Sequence, residues 1–227
     1  MKNVYIFCLF LINWLYANAQ SDIEKRNALQ SMGSLSTSGA WIPAKSNQTV
    51  ILGSVYLFPN WVGQYKVIDN TGTTTNLFNL NYNIKNQTIE SSISNDSVFQ
   101  YDTDKIDYII YNKDKYAVLN NDDLKGLYLE ICNTNKIKIY KGYSVTVVTG
   151  SLNPLTQEKI SEDTYEQISQ YYFSNNGKYE KFKPTKKEIF KLLNDKSVEI
   201  KEYLSKHTIE FSNDQDLKVL FNYYCSL

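Results

Sequence analysis

From Trp41 to about Phe182 the chain is written in short runs rich in Val, Ile, Tyr, Phe and Thr, broken roughly every eight to twelve residues by clusters of Asn, Asp, Gly or Lys. The runs include "TVILGSVYLF", "QYKVI", "TNLFNLNYNI", "TIESSI", "IDYIIY", "YAVL", "GLYLEI", "KIKIYKGYSVTVV" and "YYFS". Between them stand turn signals such as "DNTG", "IKNQ", "SND", "NKDK", "NTNK" and "NNGK". Connections this short leave no room for the crossover that parallel strands need. The expectation is a many-stranded antiparallel meander, an open sheet or a partial barrel.

Alternation assigns faces within these runs. In "LYLEI", Leu127, Leu129 and Ile131 share one face, and in "KIKIYKGY" the alternation continues to Tyr143 only through a bulge near Gly142. One face is expected to be buried and the other wet. "GSVYLFPNW", residues 53–61, reads as a strand with Val55 and Leu57 on one face and Tyr56 and Phe58 on the other. Something must then cover two rings. The C-terminal apolar residues are the economical cover; alternatively Trp41, Tyr56 and Trp61 flank a groove in which an apolar chain or a sugar ring stacks.

After Lys183 the apolar period changes to that of a helix. Thr185 and Glu188 form a capping box ahead of Ile189, Phe190, Leu192 and Leu193. A second helix through "SVEIKEYLSKH" is expected to bury Ile200, Tyr203, Leu204 and His207. A third opens at Ser212, with Gln215 three residues on, and lays Leu217, Leu220, Phe221 and Tyr224 along one stripe. Strands followed by helices make the class α+β. The expected division is a leader over 1–20, a polar lead-in over 21–35, an antiparallel β domain over 36–183 and a helical unit over 184–227 packed on the sheet.

The first twenty residues carry one charge at Lys2, an apolar run from Val4 to Tyr16 and an Ala17-Asn18-Ala19 triplet, the pattern of a secretory signal peptide. The run is shorter than the roughly 20 residues of a bilayer span, so no transmembrane segment is expected once the leader is removed. Removal takes one of the 24 basic side chains and none of the 24 acidic ones, leaving a net charge of −1. That balance offers nucleic acid no attractive field. Cys132 and Cys225 remain, and an oxidising compartment makes them candidates for a disulfide, with two buried free thiols as the alternative.

The leader ending in "ANAQ", the "GSVYLFPNW" segment, the phrase "LFNLNYNIKNQTIE" and the tail "YYFSNNGKYEKFKPTKKEIFKLLNDKSVEIKEYL" together resemble an uncharacterised family of exported Bacteroidota proteins with no assigned activity. The resemblance spans most of the chain beyond the leader. It implies export to the periplasm, the outer envelope or the medium, and it transfers no ligand or catalytic residue.

Catalytic chemistry finds little purchase. The single histidine, His207, falls on a helical stripe and reads as packing. No G-x-S-x-G elbow, H-E-x-x-H or C-x-x-C is present, so neither a cofactor nor a metal is expected. A carboxylate pair would suffice for a glycosidase, with Glu90, Asp102, Asp104, Asp107, Asp122, Asp123, Glu130, Glu162 and Asp163 as candidates. Most sit in turn clusters and read as solvated. "DTDKID" lacks the glycine and distal glutamate of a calcium loop. The Lys178–Lys201 tract holds eight Lys against four acids, enough to steer an anionic lipid or polysaccharide but first a solvated face.

The favoured expectation is a non-enzymatic envelope protein that binds a partner protein, a glycan or an apolar ligand such as a lipid. A carboxylate-dependent hydrolase of envelope carbohydrate comes second, and an assembly component using a sheet edge third.

Overall fold

The turn signals close hairpins with their own side chains. Between β2 (Val62–Asp69) and β3 (Thr74–Asn79), Asp69 Oδ1 accepts hydrogen bonds from the Thr71 and Thr73 amides, both 2.9 Å, and from Thr71 Oγ1 at 2.6 Å. Gly72, at φ 84°, takes the left-handed position that "DNTG" supplies. Between β7 (Ile106–Tyr111) and β8 (Asp114–Asn120), Asn112 and Lys113 have φ of 49° and 72°. Two left-handed residues give a two-residue turn whose twist matches that of the flanking strands.

The computed structural model describes residues 30, 33, 35, 39–43, 51–94, 97–175 and 177–227. The expected leader lies outside them, as does nearly all of the lead-in. The other strands are β1 (Gly39–Pro43), β4 (Asn81–Asn83), β5 (Thr88–Ser94), β6 (Ser97–Tyr101), β9 (Lys125–Asn133), β10 (Lys138–Val148), β11 (Thr164–Asn175) and β12 (Lys178–Phe182). Three helices follow: α1 (Lys186–Leu192), α2 (Ser197–Lys206) and α3 (Asp214–Ser226). The class is α+β, as expected.

The strands form two open antiparallel sheets. The larger runs β12-β11-β10-β9-β8-β7-β2-β3 and the smaller β1-β6-β5-β4. Six consecutive strands of the larger sheet, β7 to β12, are sequential neighbours, which is the meander. The smaller sheet is an excursion: the chain leaves at β3, builds β4, β5 and β6, and returns at β7 beside β2. Among the described residues no helix is long and apolar enough to cross a membrane.

One continuous core joins both sheets and the helices. Val67, Leu80, Ile89, Ile109, Ile139, Ile189, Leu193, Ile200, Leu217, Leu220 and Phe221 are fully buried in it. Each such side chain contributes about 1.5–3 kcal/mol of apolar burial. α3 lies over the inner face of the larger sheet, where Lys141 of β10 meets Asp214 at 2.7 Å and Asp114 of β8 meets Lys218 at 2.5 Å.

Several local expectations need correcting. "GSVYLFPNW" is no strand; it is an irregular segment with one isolated bridge, Tyr56 to Asn83, because Gly53, Ser54 and Pro59 interrupt any ladder. The outer face of β9 is not wet: Tyr128 packs with Ala117, Leu124 and Tyr140 in a second small cluster, because the loop after β8 folds Leu124 back over the sheet. The irregularity in β10 comes at Ile139/Tyr140, where Ile131 of β9 is left unpaired, rather than near Gly142. Thr185 caps α1 as expected, its side chain accepting from the Glu188 amide. α3 is capped by Asn213 rather than Ser212, since Asn213 Oδ1 reaches the amides of Gln215 and Asp216. His207 is not buried: α2 ends at Lys206, and the exposed imidazole stacks on Tyr203 at 4.2 Å.

Candidate binding site

Residues 52–61 stitch the two sheets together. Leu52 forms a parallel bridge to Thr164, with its amide donating to the Asp163 carbonyl and its carbonyl accepting from the Tyr165 amide, both at 2.8 Å. Gly53 then turns at φ 83°, where a Cβ would lie 2.9 Å from the Tyr165 carbonyl oxygen. Farther on, the Leu57 amide donates to the Tyr82 carbonyl and the Ile84 amide to the Val55 carbonyl, each at 2.9 Å, so the segment runs antiparallel to β4. The Asn81 carboxamide then takes the place of a strand. Its oxygen accepts from the Phe58 amide and its nitrogen donates to the Phe58 carbonyl, both at 2.9 Å.

This path sends neighbouring aromatics in different directions. Phe58, 4% exposed, enters the core against Tyr65, Tyr111 and Tyr116, with ring centroids 4.8–5.5 Å apart. Its cover comes from strands of the larger sheet. Tyr56 turns to the opposite face of β4, where its hydroxyl donates to Glu90 Oε2 at 2.9 Å. Glu90 also accepts from Thr88 Oγ1 at 2.6 Å and Asn83 Nδ2 at 3.3 Å, and is itself buried. Thr88 and Glu90 share a face of β5, and Asn83 stands opposite Thr88 in register, so the pleat assembles the cluster. Burial pushes the Tyr56 phenol well above its usual range, and the Glu90 charge raises it further.

Trp61 completes the face, packing edge-on against Tyr56 with centroids 4.7 Å apart. Gln167 of β11 donates through Nε2 to the Ser54 and Tyr56 carbonyls at 3.0 and 2.8 Å and holds the segment from the other side. Lys85 reaches the Tyr165 hydroxyl at 3.4 Å. The result is a half-exposed Tyr–Trp pair on a buried hydrogen-bonded carboxylate, with a lysine nearby.

Trp41 lies elsewhere. It pairs with Phe99 in register, Phe99 pairs with Ser91, and Ser91 alternates with Glu90, so Trp41 faces the core side of the smaller sheet. Its ring meets Phe99 edge-on at 5.2 Å. Four strand spacings, about 19 Å, separate its strand from the Tyr56 segment. The structure therefore brings Tyr56 and Trp61 together and leaves Trp41 apart. It also brings Cys132 and Cys225 together, with free thiols whose sulfurs are 3.6 Å apart.

Six of the other eight candidate acids are occupied by neighbouring groups. Asp102 caps a 3-10 turn over Thr103–Lys105, Asp104 accepts from Asn120, Asp123 from the Tyr179 amide and Asp163 from the Gly150 amide. Glu130 pairs with Lys115, and Glu162 with Lys159. Among the described residues no group of three or more His, Cys, Asp or Glu is placed to hold a metal.

One polar centre had no signal in the sequence. Asp114 takes Gln215 Nε2 as well as Lys218, and Asp214 takes the Tyr171 hydroxyl at 2.6 Å as well as Lys141. Burial first, and then these two carboxylates, push the Tyr116 phenol upward. The partners are 43 to 104 residues apart, so only the docked helix reveals the cluster. Each carboxylate is bound to a lysine, which suits a clamp for α3 better than a proton-transfer site. No protein-family model, curated protein or solved structure matches the chain.

Proposed function

We propose that the protein is a non-enzymatic, exported binding protein whose Tyr56–Trp61 face receives a glycan of the cell envelope. The observation that carries this reading is the anchoring of Tyr56 on buried Glu90, which fixes the phenol ring and, through it, the edge-on Trp61. A ring held in place by a hydrogen bond to a buried carboxylate loses little side-chain entropy when a sugar stacks on it. Lys85 and Tyr165 beside the pair supply polar contacts for hydroxyl or carboxylate substituents. A hydrolytic role for Glu90 fits less well, since its oxygens already hold a phenol, a hydroxyl and an amide, whereas a glycosidase needs two facing carboxyl groups about 5–10 Å apart.

A specific observation also favours a sheet-edge assembly reading. Among the described residues, β10 beyond Lys141 has no ladder partner on its β9 side, and β11 before Tyr171 has none on its β12 side except the Leu52 bridge and the Gln167 side-chain bonds to the Ser54 and Tyr56 carbonyls. A two-stranded ribbon therefore projects with open edges. Titration of the full-length mature protein with soluble envelope oligosaccharides, followed by tryptophan fluorescence, separates the readings. Saturable quenching that Trp61→Ala abolishes and Trp41→Phe preserves, without chain cleavage, is the expected outcome. Shortened oligosaccharides would establish the hydrolase, and concentration-dependent oligomers with no quenching would establish the assembly role.

A further inference from the structure

Cys132 and Cys225 are 93 residues apart in sequence, yet their sulfurs stand 3.6 Å from each other where the last turn of α3 crosses β9. Cys132 is buried at the β9 irregularity opposite Ile139. Cys225 lies one residue before the end of α3, half-buried, with Thr134 Oγ1 3.4 Å from its sulfur. A disulfide bond of about 2.05 Å requires the sulfurs to close by roughly another 1.6 Å, a movement that side-chain rotation in a terminal helical turn can supply.

We propose that this dithiol is a redox latch, in which a Cys132–Cys225 disulfide staples the C-terminal helix to the centre of the larger sheet. The oxidant is a small or protein disulfide, R–S–S–R. The more accessible Cys225 loses its proton and its sulfur attacks one sulfur of the oxidant, breaking that S–S bond, releasing one RS⁻ and forming a Cys225–S–S–R mixed disulfide. Cys132 then loses its proton and attacks Cys225 Sγ, releasing the second RS⁻. The two RS⁻ groups take up the two protons, so two cysteine thiols are oxidised by two electrons and one disulfide is reduced to two thiols. Burial pushes the Cys132 thiol up to about 12, which suits it to the second, proximity-driven attack rather than the first.

The latch is placed where it matters to the fold. At its other end α3 is held by the Asp214–Lys141 and Lys218–Asp114 pairs. Among the described residues no ion pair holds its last turn, which is tied instead by Tyr224, whose hydroxyl bonds to Asp195, and by Tyr223, whose ring stacks on Tyr203 at 4.1 Å. Closure would tie a loop of more than 90 residues, long enough for a substantial effect on the unfolded chain.

The test incubates residues 21–227, which carry Cys132 and Cys225 as their two cysteines, with oxidised glutathione or with dithiothreitol and reads intact mass, peptide maps and thermal midpoint. The expected result is a glutathione-free oxidised form, two hydrogens lighter, carrying a Cys132–Cys225 peptide and melting about 5–15 °C above the reduced form. Cys132→Ser should stop the reaction at a Cys225–glutathione adduct. Cys225→Ser, which spares the buried position, should stay unmodified and melt at the reduced midpoint under both conditions. Persistent thiols, stable glutathione adducts on the unsubstituted protein, or equal melting of its two forms would overturn the latch.

Discussion

The hairpin of β10 and β11 is paired without interruption from Lys138–Ser174 to Val148–Thr164, yet its two halves live in different surroundings. In the proximal half Ile139 is fully buried, Tyr140 is 3% exposed and Tyr171 7%. In the distal half Val147, Val148 and Ile168 are 45–48% exposed, and the tip carries Leu155 at 92%. The proximal half is richer in aromatic residues (Tyr140, Tyr171, Tyr172, Phe173) and the distal half in β-branched ones (Val145, Thr146, Val147, Val148, Thr164, Ile168), and both kinds suit a strand, so strand composition does not decide which half is core. The difference is cover: the proximal half has β9 and β12 as flanking strands and α3 above it, while the distal half extends past all three. A ladder of hydrogen bonds makes a strand, but only a third body makes it core.

The severest way to break this contrast is to remove the cover. Deletion of residues 184–227 strips Ile189, Leu193, Ile200, Leu217, Leu220 and Phe221 from the core and should leave a dye-binding protein with no cooperative unfolding transition. A soluble, cooperatively folding remainder would show that the sheets close their own core. Phe221→Ala, at a fully buried ring, should cost about 3–5 kcal/mol in denaturant unfolding.

Alkaline pH probes the buried phenols, of which Tyr140 and Tyr171 lie in the proximal half and Tyr128 on the β9 strand beside it. Burial pushes Tyr128 up to about 12 from its ordinary 10.0, and burial raises Tyr140 and Tyr171 in the same direction. Folded values above the unfolded value mean that the stability these neutral phenols contribute is complete below about pH 10 and is lost as pH rises through the folded values. The denaturant midpoint should therefore fall steadily above pH 10, in step with phenolate absorbance.

The joint between the halves gives a smaller effect. A Cβ on Gly142 would lie 2.5 Å from Tyr128 Cε1 and 3.1 Å from Tyr172 Cε2 on the outer face, so Gly142→Ala should cost about 1–3 kcal/mol by overpacking. A thermal midpoint equal to that of the unsubstituted protein would mean the two rings move aside freely. Smallest of all, Val147→Thr and Ile168→Thr in the projecting half should change stability by no more than about 0.5 kcal/mol. A loss of several times that would reveal a contact the ribbon makes in solution.

Much of this architecture could be read from the residues. The turn clusters "DNTG" and "NKDK" fall where the hairpins turn, and Thr185 caps the helix it was expected to cap. The stripe of Leu217, Leu220, Phe221 and Tyr224 is the buried face of α3. Where the reading slipped, a nonlocal partner had intervened. "GSVYLFPNW" has strand composition, but its polar backbone is satisfied by β4, β11 and the Asn81 carboxamide. His207 falls at helical spacing, but α2 stops one residue short of it. Of the candidate site, Tyr56 and Trp61 were legible because they stand five positions apart; Trp41 belonged by composition alone, its strand lies three places from β4, and its register with Phe99 and Ser91 turns it to the other face.

The sequence by itself determined what depends on neighbours along the chain: antiparallel pairing from short connections, left-handed turns from Asn and Gly, helix starts from side-chain caps, and the apolar stripe of each helix. The tertiary structure alone decided that the strands divide into two sheets and that Glu90 gathers Tyr56, Thr88 and Asn83. It also decided that Asp114 and Asp214 find Lys218 and Lys141, and that Cys132 meets Cys225. The physical reason is range. Turn and cap energies act within a few residues and leave a mark in local composition, whereas burial and ion pairing act between surfaces whose meeting depends on how the whole chain packs.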